Sequence, residues 1–259
     1  GLKTIIPLVP EFDEYREPFV GGGSVFFSIR QTFPNKTYWI NDLNEDLFSF
    51  WKESQDNLED LVDEVRKVKE VTKDGKALYR RLKNQEDDLD QFERAVKFFV
   101  LNRITFSGTV EAGGYTQRSF EKRFTYSSVE RLSRIDSILE GVRITKGDYK
   151  ELVNEPGKDV FIFLDPPYFA PDSDKLYYSG TDRSFNHEEF AAVMKDCNHK
   201  WLITYDNSDK VIELFDFAYI KEWSQSYGMN SSTNGRKFKK NELLISNYPL
   251  NVSIQEKLI

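Results

Sequence analysis

The stretch that most constrains the fold is VFIFLDPPY, residues 160–168, in which a short apolar run ends at an acid and two prolines. Its β-branched and aromatic residues favour a strand buried on both faces over a helix. Pro166 and Pro167 must end that strand, because proline cannot donate a ladder hydrogen bond. Asp165 is therefore expected at the carboxyl end of a buried strand, where open α/β sheets bind their ligands.

Strand and helix patterns alternate on both sides of this stretch. Residues 1–52 show two strand patterns with helical spacing around them, and after Gly141 strand patterns resume in VRITKGD, KWLITYDNS, FAYIKEW and NELLISNY. Such alternation is typical of an α/β protein. The sequence predicts a Rossmann-like mixed, mostly parallel sheet flanked by helices, in a discontinuous domain of residues 1–52 and 141–259.

The intervening residues 53–140 have a different pattern and are predicted to form an inserted, mainly helical domain. One helical stripe carries apolar residues at Leu58, Leu61, Val62, Val65 and Val68. The segment DDLDQFERAVKFFVLNRI reads as a longer, partly buried helix. Paired glycines in TFSGTVEAGGYTQRSFEKRFTY predict a hairpin or an ordered surface loop. Ser127 and Ser128 are candidates to cap the helix that follows.

Composition excludes several classes of site. The 259 residues contain one cysteine, Cys197, and two histidines, His187 and His199. These are too few for a disulfide framework or a four-ligand zinc site, so no metal is expected. Apolar runs all fall short of the roughly 18 residues of a membrane span. We expect a soluble, cytoplasmic protein without a membrane partner.

The net charge of −7 and pI of about 5.1 argue at first against a nucleic-acid partner, because phosphates are neutralised by lysine and arginine. However, TQRSFEKRF (residues 116–124) and GRKFKK (residues 235–240) are locally basic. Each is a candidate contact to DNA or, alternatively, an ordinary solvated face.

A glycine-rich segment follows the first strand pattern. Gly21, Gly22 and Gly23 let the backbone approach a ligand where the next helix begins, although a plain glycine turn would explain them as well. Asp42 ends the second strand pattern, where a carboxylate can bind ribose hydroxyls. Together they favour an adenosine-containing cofactor. Asp148, which ends a later strand pattern, is a candidate for the adenine edge or for a helix N-cap.

The tetrapeptide DPPY matches an exocyclic amino group on a planar base. The lone pair of such an amine is delocalised into the ring, which makes the nitrogen a poor nucleophile. Acceptors at Asp165 and the Pro166 carbonyl would favour a more tetrahedral nitrogen and stabilise its developing positive charge. Tyr168 would stack on the ring. The competing interpretation is a strand-ending turn with a buried tyrosine.

Five segments, in this order and spacing, resemble the motifs of the amino-directed DNA methyltransferases of the alpha class, the Dam-like DNA adenine methyltransferases. They are EPFVGGGSVFF, INDLN, LNRITFSG, KGDY and LDPPY. The resemblance implies S-adenosylmethionine as methyl donor, S-adenosylhomocysteine as product, and the N6 amino group of adenine in double-stranded DNA as acceptor. The adenine would be flipped out, because N6 cannot be reached within the stack.

The resemblance also implies roles for domains and residues. Residues 1–52 and 141–259 would be the catalytic, cofactor-binding domain, and residues 53–140 the target-recognition domain. Catalysis would depend on Asp165, Pro166 and Tyr168. Cofactor binding would involve Lys3, Phe19, Gly21, Gly23, Asp42, Asp148 and Asp165. DNA contacts are expected at Arg103, Tyr115, Arg118, Lys122, Arg123, Arg236 and Lys239.

Lys3 enters this set because GLK is similar to the GGK of the family. The family usually carries an aromatic residue four positions before that lysine, so an N-terminal extension that supplies one is expected to tighten cofactor binding.

Alternatives remain at this point. An N4-cytosine or RNA amino-methyltransferase would use the same acceptors, and a DNA-binding protein without catalysis or a dehydrogenase is a candidate from another class. The recognised DNA sequence and the oligomeric state are not readable. Pairing with a cognate restriction endonuclease, genetic and not physical, also stays open.

Overall fold

The computed structural model describes residues 1–85, 88–106, 110, 113–168, 185–226 and 239–250. The chain divides into two compact units. The first contains Gly1–Ile40 and the described residues from 148 onward, and the second contains Asn41–Gly147. The second unit includes the whole of the 53–140 segment, whose role in DNA recognition stays a prediction.

A seven-stranded mixed sheet organises the described residues, with strand order β3-β2-β1-β4-β5-β7-β6. The strands are β1 (Glu14–Glu17), β2 (Thr37–Asp42), β3 (Arg143–Lys146), β4 (Val160–Leu164), β5 (Lys200–Asp206), β6 (Tyr219–Ser226) and β7 (Lys239–Ser246). The pairs β1–β2, β1–β4 and β4–β5 are parallel, whereas β5–β7 and β6–β7 are antiparallel. The predicted α/β fold with a mixed, mostly parallel sheet is confirmed.

The helices of the first unit cover the ends and faces of its strands. They are α1 (Leu2–Ile5), a 3₁₀ turn (Ile6–Leu8), α2 (Ser24–Thr32), α10 (Tyr149–Asn154), α11 (His187–Asp196) and α12 (Asp209–Leu214). Every residue of β4 is buried, as the apolar run predicts. One face of β4 packs into a core that also contains Tyr149, Phe190 and Tyr205.

The second unit is mainly helical, as expected. Its helices are α3 (Glu45–Asp56), α4 (Leu58–Val71), α5 (Gly75–Lys83), α6 (Gln91–Ile104), α7 (Gln117–Arg123), α8 (Tyr126–Leu132) and α9 (Asp136–Leu139). The predicted stripe on α4 packs into a core shared with α6, because Leu61, Val65 and Phe99 belong to one buried cluster.

Two local expectations in this unit were only partly correct. The basic stretch around Arg118 forms α7, because the Thr116 side chain accepts a hydrogen bond from the Ser119 amide and so starts a helix. Only the bridge between Thr105 and Tyr115 corresponds to the expected hairpin among the described residues. The next helix is capped by Thr125, which forms a capping box with Ser128 at position N3.

The first strand, β1, is the charged sequence EYRE, of which the last three residues are buried. Arg16 is 1% exposed and donates to the backbone carbonyls of Leu152, Glu155 and Pro156. The Tyr15 hydroxyl donates to the carboxylate of Glu17. Buried polar groups are tolerated when they are hydrogen-bonded, which explains a charged strand in the middle of the sheet.

Among the described residues, every helix is too short or too polar to cross a lipid bilayer.

Candidate active site

Asp165 follows β4 directly, and a side chain from the neighbouring strand holds its carboxylate. The Thr204 hydroxyl on β5 donates a 2.6 Å hydrogen bond to Oδ1 of Asp165. The two strands are in parallel register, with Leu164 opposite Ile203, so Asp165 and Thr204 are the next residues on each strand. The predicted acid therefore lies at the carboxyl end of a buried strand.

The surroundings of Asp165 act on its proton affinity in opposite directions. The residue is open to solvent at the strand end, but the dense protein atoms around the carboxyl raise its pKa. Hydrogen bonds from the hydroxyls of Thr204 and Tyr168 lower the pKa in part, because they stabilise the carboxylate. A ligand amine would therefore meet a carboxylate that is accessible and already oriented.

Tyr168 lies beside the same strand. Its ring stacks on that of Tyr205, with centroids 6.0 Å apart and planes 25° from parallel. The Tyr205 hydroxyl shares a hydrogen bond with Nδ1 of His187, the first residue of α11. Burial lowers the pKa of His187, which favours the neutral imidazole. The buried Pro166 lies between the acid and the aromatic residue.

Sequence reasoning missed Thr204, Tyr205 and His187. A signal was present, because polar residues end the KWLITYDNS strand just as Asp165 ends its neighbour, and parallel strands place their carboxyl ends at one edge. His187 had no comparable signal, because the sequence pattern around it did not connect it to the site.

Two residues of the glycine segment have a left-handed backbone conformation. Gly21 and Gly23 adopt φ values of 48° and 69°, and Gly23 is the N-cap of α2. A side chain at Gly21 or Gly22 would meet no atom within 4 Å, so open space lies beside this turn. The prediction of a glycine turn before a helix is confirmed, while its role in cofactor binding stays a prediction.

Phe19 precedes this turn and belongs to an aromatic cluster. Its ring centroid lies 5.5 Å from that of Tyr149, 5.8 Å from Phe185 and 6.1 Å from Phe190. Phe19 and Tyr168 both pack against the buried core cluster that contains Phe190 and Tyr205. The first unit therefore brings the glycine segment and the DPPY segment to one aromatic core.

The remaining cofactor candidates are Asp148, Lys3 and Asp42. Asp148 is the N-cap of α10, and its Oδ1 accepts a 2.9 Å hydrogen bond from the Lys150 amide, so the helix-cap interpretation holds for one carboxylate oxygen. Lys3 is exposed on α1. Asp42 belongs to the second unit, where its carboxylate accepts from the Asn44 amide at 3.0 Å.

Two DNA candidates of the second unit, Arg103 and Arg123, lie at the end of α6 or contact the residue that follows it. Arg103 lies over the Phe99 ring, 5.1 Å from its centroid, and its Nε is buried without a hydrogen-bond partner in the described part of the chain. Arg123 donates to the Thr105 carbonyl at 3.2 Å. Burial lowers the pKa of Arg103, and the like charges of Arg123 and Arg131 lower it further.

The structure describes the five other DNA candidates to different extents. Tyr115 pairs with Thr105 in the bridge, and Arg118 and Lys122 are exposed on α7. Arg236 lies outside the described residues, and only the backbone of Lys239, at the start of β7, is described. Within the described ranges, no group of three histidine, cysteine or acidic side chains could hold a metal ion.

Comparison with known proteins shows which family this chain resembles. A model of the D12 class N6 adenine-specific DNA methyltransferases matches residues 2–229. The type II methyltransferase M1.LlaDCHI of Lactococcus lactis subsp. cremoris is 26% identical, over 96% of this chain and 93% of that protein. The type II methyltransferase M.MjaIII of Methanocaldococcus jannaschii is 25% identical, over 91% of this chain and 88% of its own.

A DNA adenine methylase of Salmonella typhi is 24% identical, over 88% of this chain and 84% of that protein. Among solved structures, the precorrin-6y C5,15-methyltransferase of Geobacter metallireducens GS-15 covers 95% of this chain and 85% of its own at 10% identity. Its TM-score of 0.39 is too low to carry an argument.

The family description names adenine N6 and DNA, which favours the adenine prediction over the N4-cytosine and RNA alternatives and over a dehydrogenase. Because the family model spans most of the sequence, the chain belongs to the D12 class of N6 adenine-specific DNA methyltransferases.

Proposed function

We propose that this enzyme transfers a methyl group from S-adenosylmethionine to N6 of an adenine flipped out of duplex DNA, and that Asp165, Pro166 and Tyr168 form the amine site. The observation that carries the proposal is the Asp165 carboxylate, held by Thr204 at the end of β4 beside the stacked Tyr168 ring.

Each residue of the amine site has a distinct task. Asp165 accepts a hydrogen bond from the amine and stabilises the positive charge that develops on nitrogen as it attacks. The Pro166 carbonyl accepts from the second amine hydrogen. Tyr168 stacks on the extruded base. No covalent enzyme intermediate is required, because the amine itself forms the new N–C bond while the donor's S–C bond breaks, and one amine proton is lost to water.

S-adenosylmethionine supplies a methyl group on a sulfonium, a good leaving group. The residues present fit such a ligand: open space lies beside Gly21 and Gly22, and Phe19 supplies an aromatic surface. Asp42 and Asp148 supply carboxylate acceptors for ribose hydroxyls and the adenine edge. Lys3 completes the proposed set, and S-adenosylhomocysteine is the product.

For DNA, we assign the second unit the recognition role expected of residues 53–140. The supporting observation is Arg103, whose partly buried guanidinium is affected by the like charges of Arg123 and Arg131. Like charges brought together in a partly buried place are stabilised when an anion joins them, and a DNA phosphate is such an anion. Arg118 and Lys122, exposed on α7, are proposed to make further contacts, as are Tyr115 and, from the sequence alone, Arg236 and Lys239.

The experiment that tests the proposal is methylation of random-sequence duplex DNA with mapping of the modified adenines, followed by single-turnover assays on the mapped site. Asp165→Ala should reduce the rate on the order of 10²–10³-fold, the loss typical of one charge-stabilising group, while DNA binding persists. Near-normal rates would return DPPY to a strand-ending turn.

A calorimetric titration with S-adenosylmethionine separates an enzyme from a DNA-binding protein without catalysis. We expect saturable binding by the wild type, and the absence of binding would favour the non-catalytic alternative.

The cytoplasm is the proposed location, where the DNA substrate lies. The words "type II" in the names of two relatives support a cognate restriction endonuclease as genetic partner. A search for a gene whose product cuts the unmethylated site would test this proposal.

A further inference from the structure

Two consecutive residues of β5 contact the two ends of the DPPY segment. Thr204 hydrogen-bonds the acid, and Tyr205 stacks on the aromatic ring. Successive side chains of a strand point to opposite faces, so one strand reaches both. Thr204 is 4% exposed and Tyr205 is 0% exposed, which leaves each little freedom to move.

We propose that Thr204 is the positioning residue of Asp165, and that Tyr205, held by His187, is the positioning residue of the Tyr168 ring. This inference rests on the roles proposed above for Asp165 and Tyr168. It adds that the acid and the stacking ring are each oriented by a separate side chain, both from β5.

The Thr204 bond determines which carboxylate oxygen is available. Oδ1 accepts from Thr204, so the rotamer of Asp165 is fixed and its remaining acceptor positions are presented to an amine. The same bond stabilises the ionised carboxylate. A carboxylate free to rotate would bind the amine in a less favourable geometry, and such misplacement can cost up to about 100-fold in rate.

The Tyr205 contact acts on the ring through a different partner. His187 shares its Nδ1 with the Tyr205 hydroxyl, and its ring lies 5.9 Å from that of Tyr205. The buried Tyr205 ring supports Tyr168 through a near-parallel stack. Loss of the hydroxyl bond would loosen the stacking platform but leave the Thr204 bond to Asp165 in place.

Single-turnover methylation of the mapped duplex, measured across pH, tests the Thr204 part. Thr204→Val keeps the shape of the side chain and removes the donor, so the rate should fall about 10- to 100-fold. The acid limb of the pH–rate profile should also move to higher pH, because the carboxylate loses a stabilising bond. Thr204→Ser restores the donor and should restore both. Calorimetric affinity for S-adenosylmethionine should stay within about threefold in both variants.

The matched control is Thr32→Val, which removes a hydroxyl that donates to the Ser28 carbonyl within α2. It should change neither rate nor pH profile. Equal rates and equal acid limbs for Thr204→Val and Thr204→Ser would overturn the Thr204 assignment. If Thr204→Val does not fold, Thr204→Cys, a weaker donor, must shift the acid limb upward, and an unmoved limb counts against the assignment.

Tyr205→Phe and His187→Leu test the second part with 2-aminopurine at the target position, whose fluorescence rises when the base leaves the stack. Each variant should lower the extruded signal and the single-turnover rate about 2- to 10-fold, and the two changes should combine without further loss. Tyr38→Phe, which removes a buried hydroxyl bonded to the Phe33 carbonyl, is the control. Additive losses, or no loss, would refute the pairing.

Different results would remove the proposed amine site and the proposed positioning roles. An active Asp165→Ala variant would remove the proposed amine site itself. An inactive Asp165→Ala variant together with normal Thr204→Val and Tyr205→Phe variants would leave the amine site in place and remove only the positioning roles.

Discussion

Arg16 on β1 donates a 2.7 Å hydrogen bond to the carbonyl of Leu152 in α10, across 136 positions of sequence. The same guanidinium donates to Glu155 and Pro156 carbonyls, pairs with Glu14 at 2.7 Å, and lies 5.3 Å from the centre of the Trp39 ring. A single buried cation therefore satisfies the end of α10 and the segment that leads into β4.

Arg16→Met should destabilise the protein by about 3–5 kcal/mol, the cost of breaking a buried ion pair and leaving its partners unsatisfied. Urea unfolding would show a lower midpoint with an unchanged slope. Arg66→Met is the control, because Arg66 pairs with Asp63 on the exposed surface of α4 and should cost no more than about 1 kcal/mol. Equal midpoints for the two variants would contradict the structural role of Arg16.

Asp165 should make stability depend on pH. Its folded-state pKa is raised above the usual 3.8 by the dense protein atoms around the carboxyl, so the folded protein binds the proton more tightly than the unfolded chain. Stability is therefore lost as pH rises from the unfolded pKa to the raised folded pKa, and the loss is complete above the latter. Asp165→Asn, which carries no charge, should gain stability relative to wild type over that window.

Unfolding midpoints of both proteins from pH 4 to pH 8 would check this. A difference that does not change with pH would mean that the carboxyl is not perturbed. Glu213→Gln, on α12, serves as the surface carboxyl control.

Much of the fold and the centre of the site were predictable because their signals are local. The VFIFL run, the two prolines and the glycines before α2 each determine conformation within a few residues. The charged β1 strand was not predictable, since Arg16 is satisfied by carbonyls that lie 136 to 140 positions away. Thr204 was missed because its partner Asp165 lies 39 positions away, although both residues end strand patterns.

The helix α7 was not predicted from the sequence for a different reason. Its residues are basic and follow paired glycines, which favoured a hairpin, but the decisive signal was the single N-cap at Thr116. A cap of this kind is short and common in loops, so it competes poorly with a glycine pattern in sequence reasoning.

Asp42→Ala should weaken S-adenosylmethionine binding by roughly 1.5–3 kcal/mol, the range for hydrogen bonds to a charged group, without unfolding the protein. Asp42 also accepts from the Asn44 amide, so alanine removes a local bond as well. Asp42→Asn keeps a side-chain oxygen for that amide and isolates the contribution of the charge. Calorimetric titration measures both variants, and unchanged affinity in Asp42→Ala would remove this residue from the ribose site.

Tyr168→Ala and Tyr168→Phe should separate the two contributions of this side chain. Alanine loses the stacking surface, worth about 1–3 kcal/mol for a base–aromatic contact, and should reduce 2-aminopurine extrusion. Phenylalanine keeps the ring but loses the hydroxyl that lowers the pKa of Asp165, so its acid limb should move to higher pH while extrusion persists. Identical behaviour of the two variants would mean that stacking is not the role of the ring.

The arginines at the end of α6 should reveal themselves in the salt dependence of DNA binding. The slope in question is that of the logarithm of the DNA-binding constant against the logarithm of the salt concentration. If Arg103, Arg123 and Arg131 share one phosphate, removing Arg103 or Arg123 should flatten this slope by about one unit, and removing both should flatten it no further. Arg118→Ala, on the exposed part of α7, should flatten it independently by about one more unit. Additive losses for Arg103→Met and Arg123→Met would instead indicate separate phosphates, and unchanged slopes would leave these arginines as structural groups. Arg66→Met, already the surface control for stability, should leave the slope unchanged, because Arg66 pairs with Asp63.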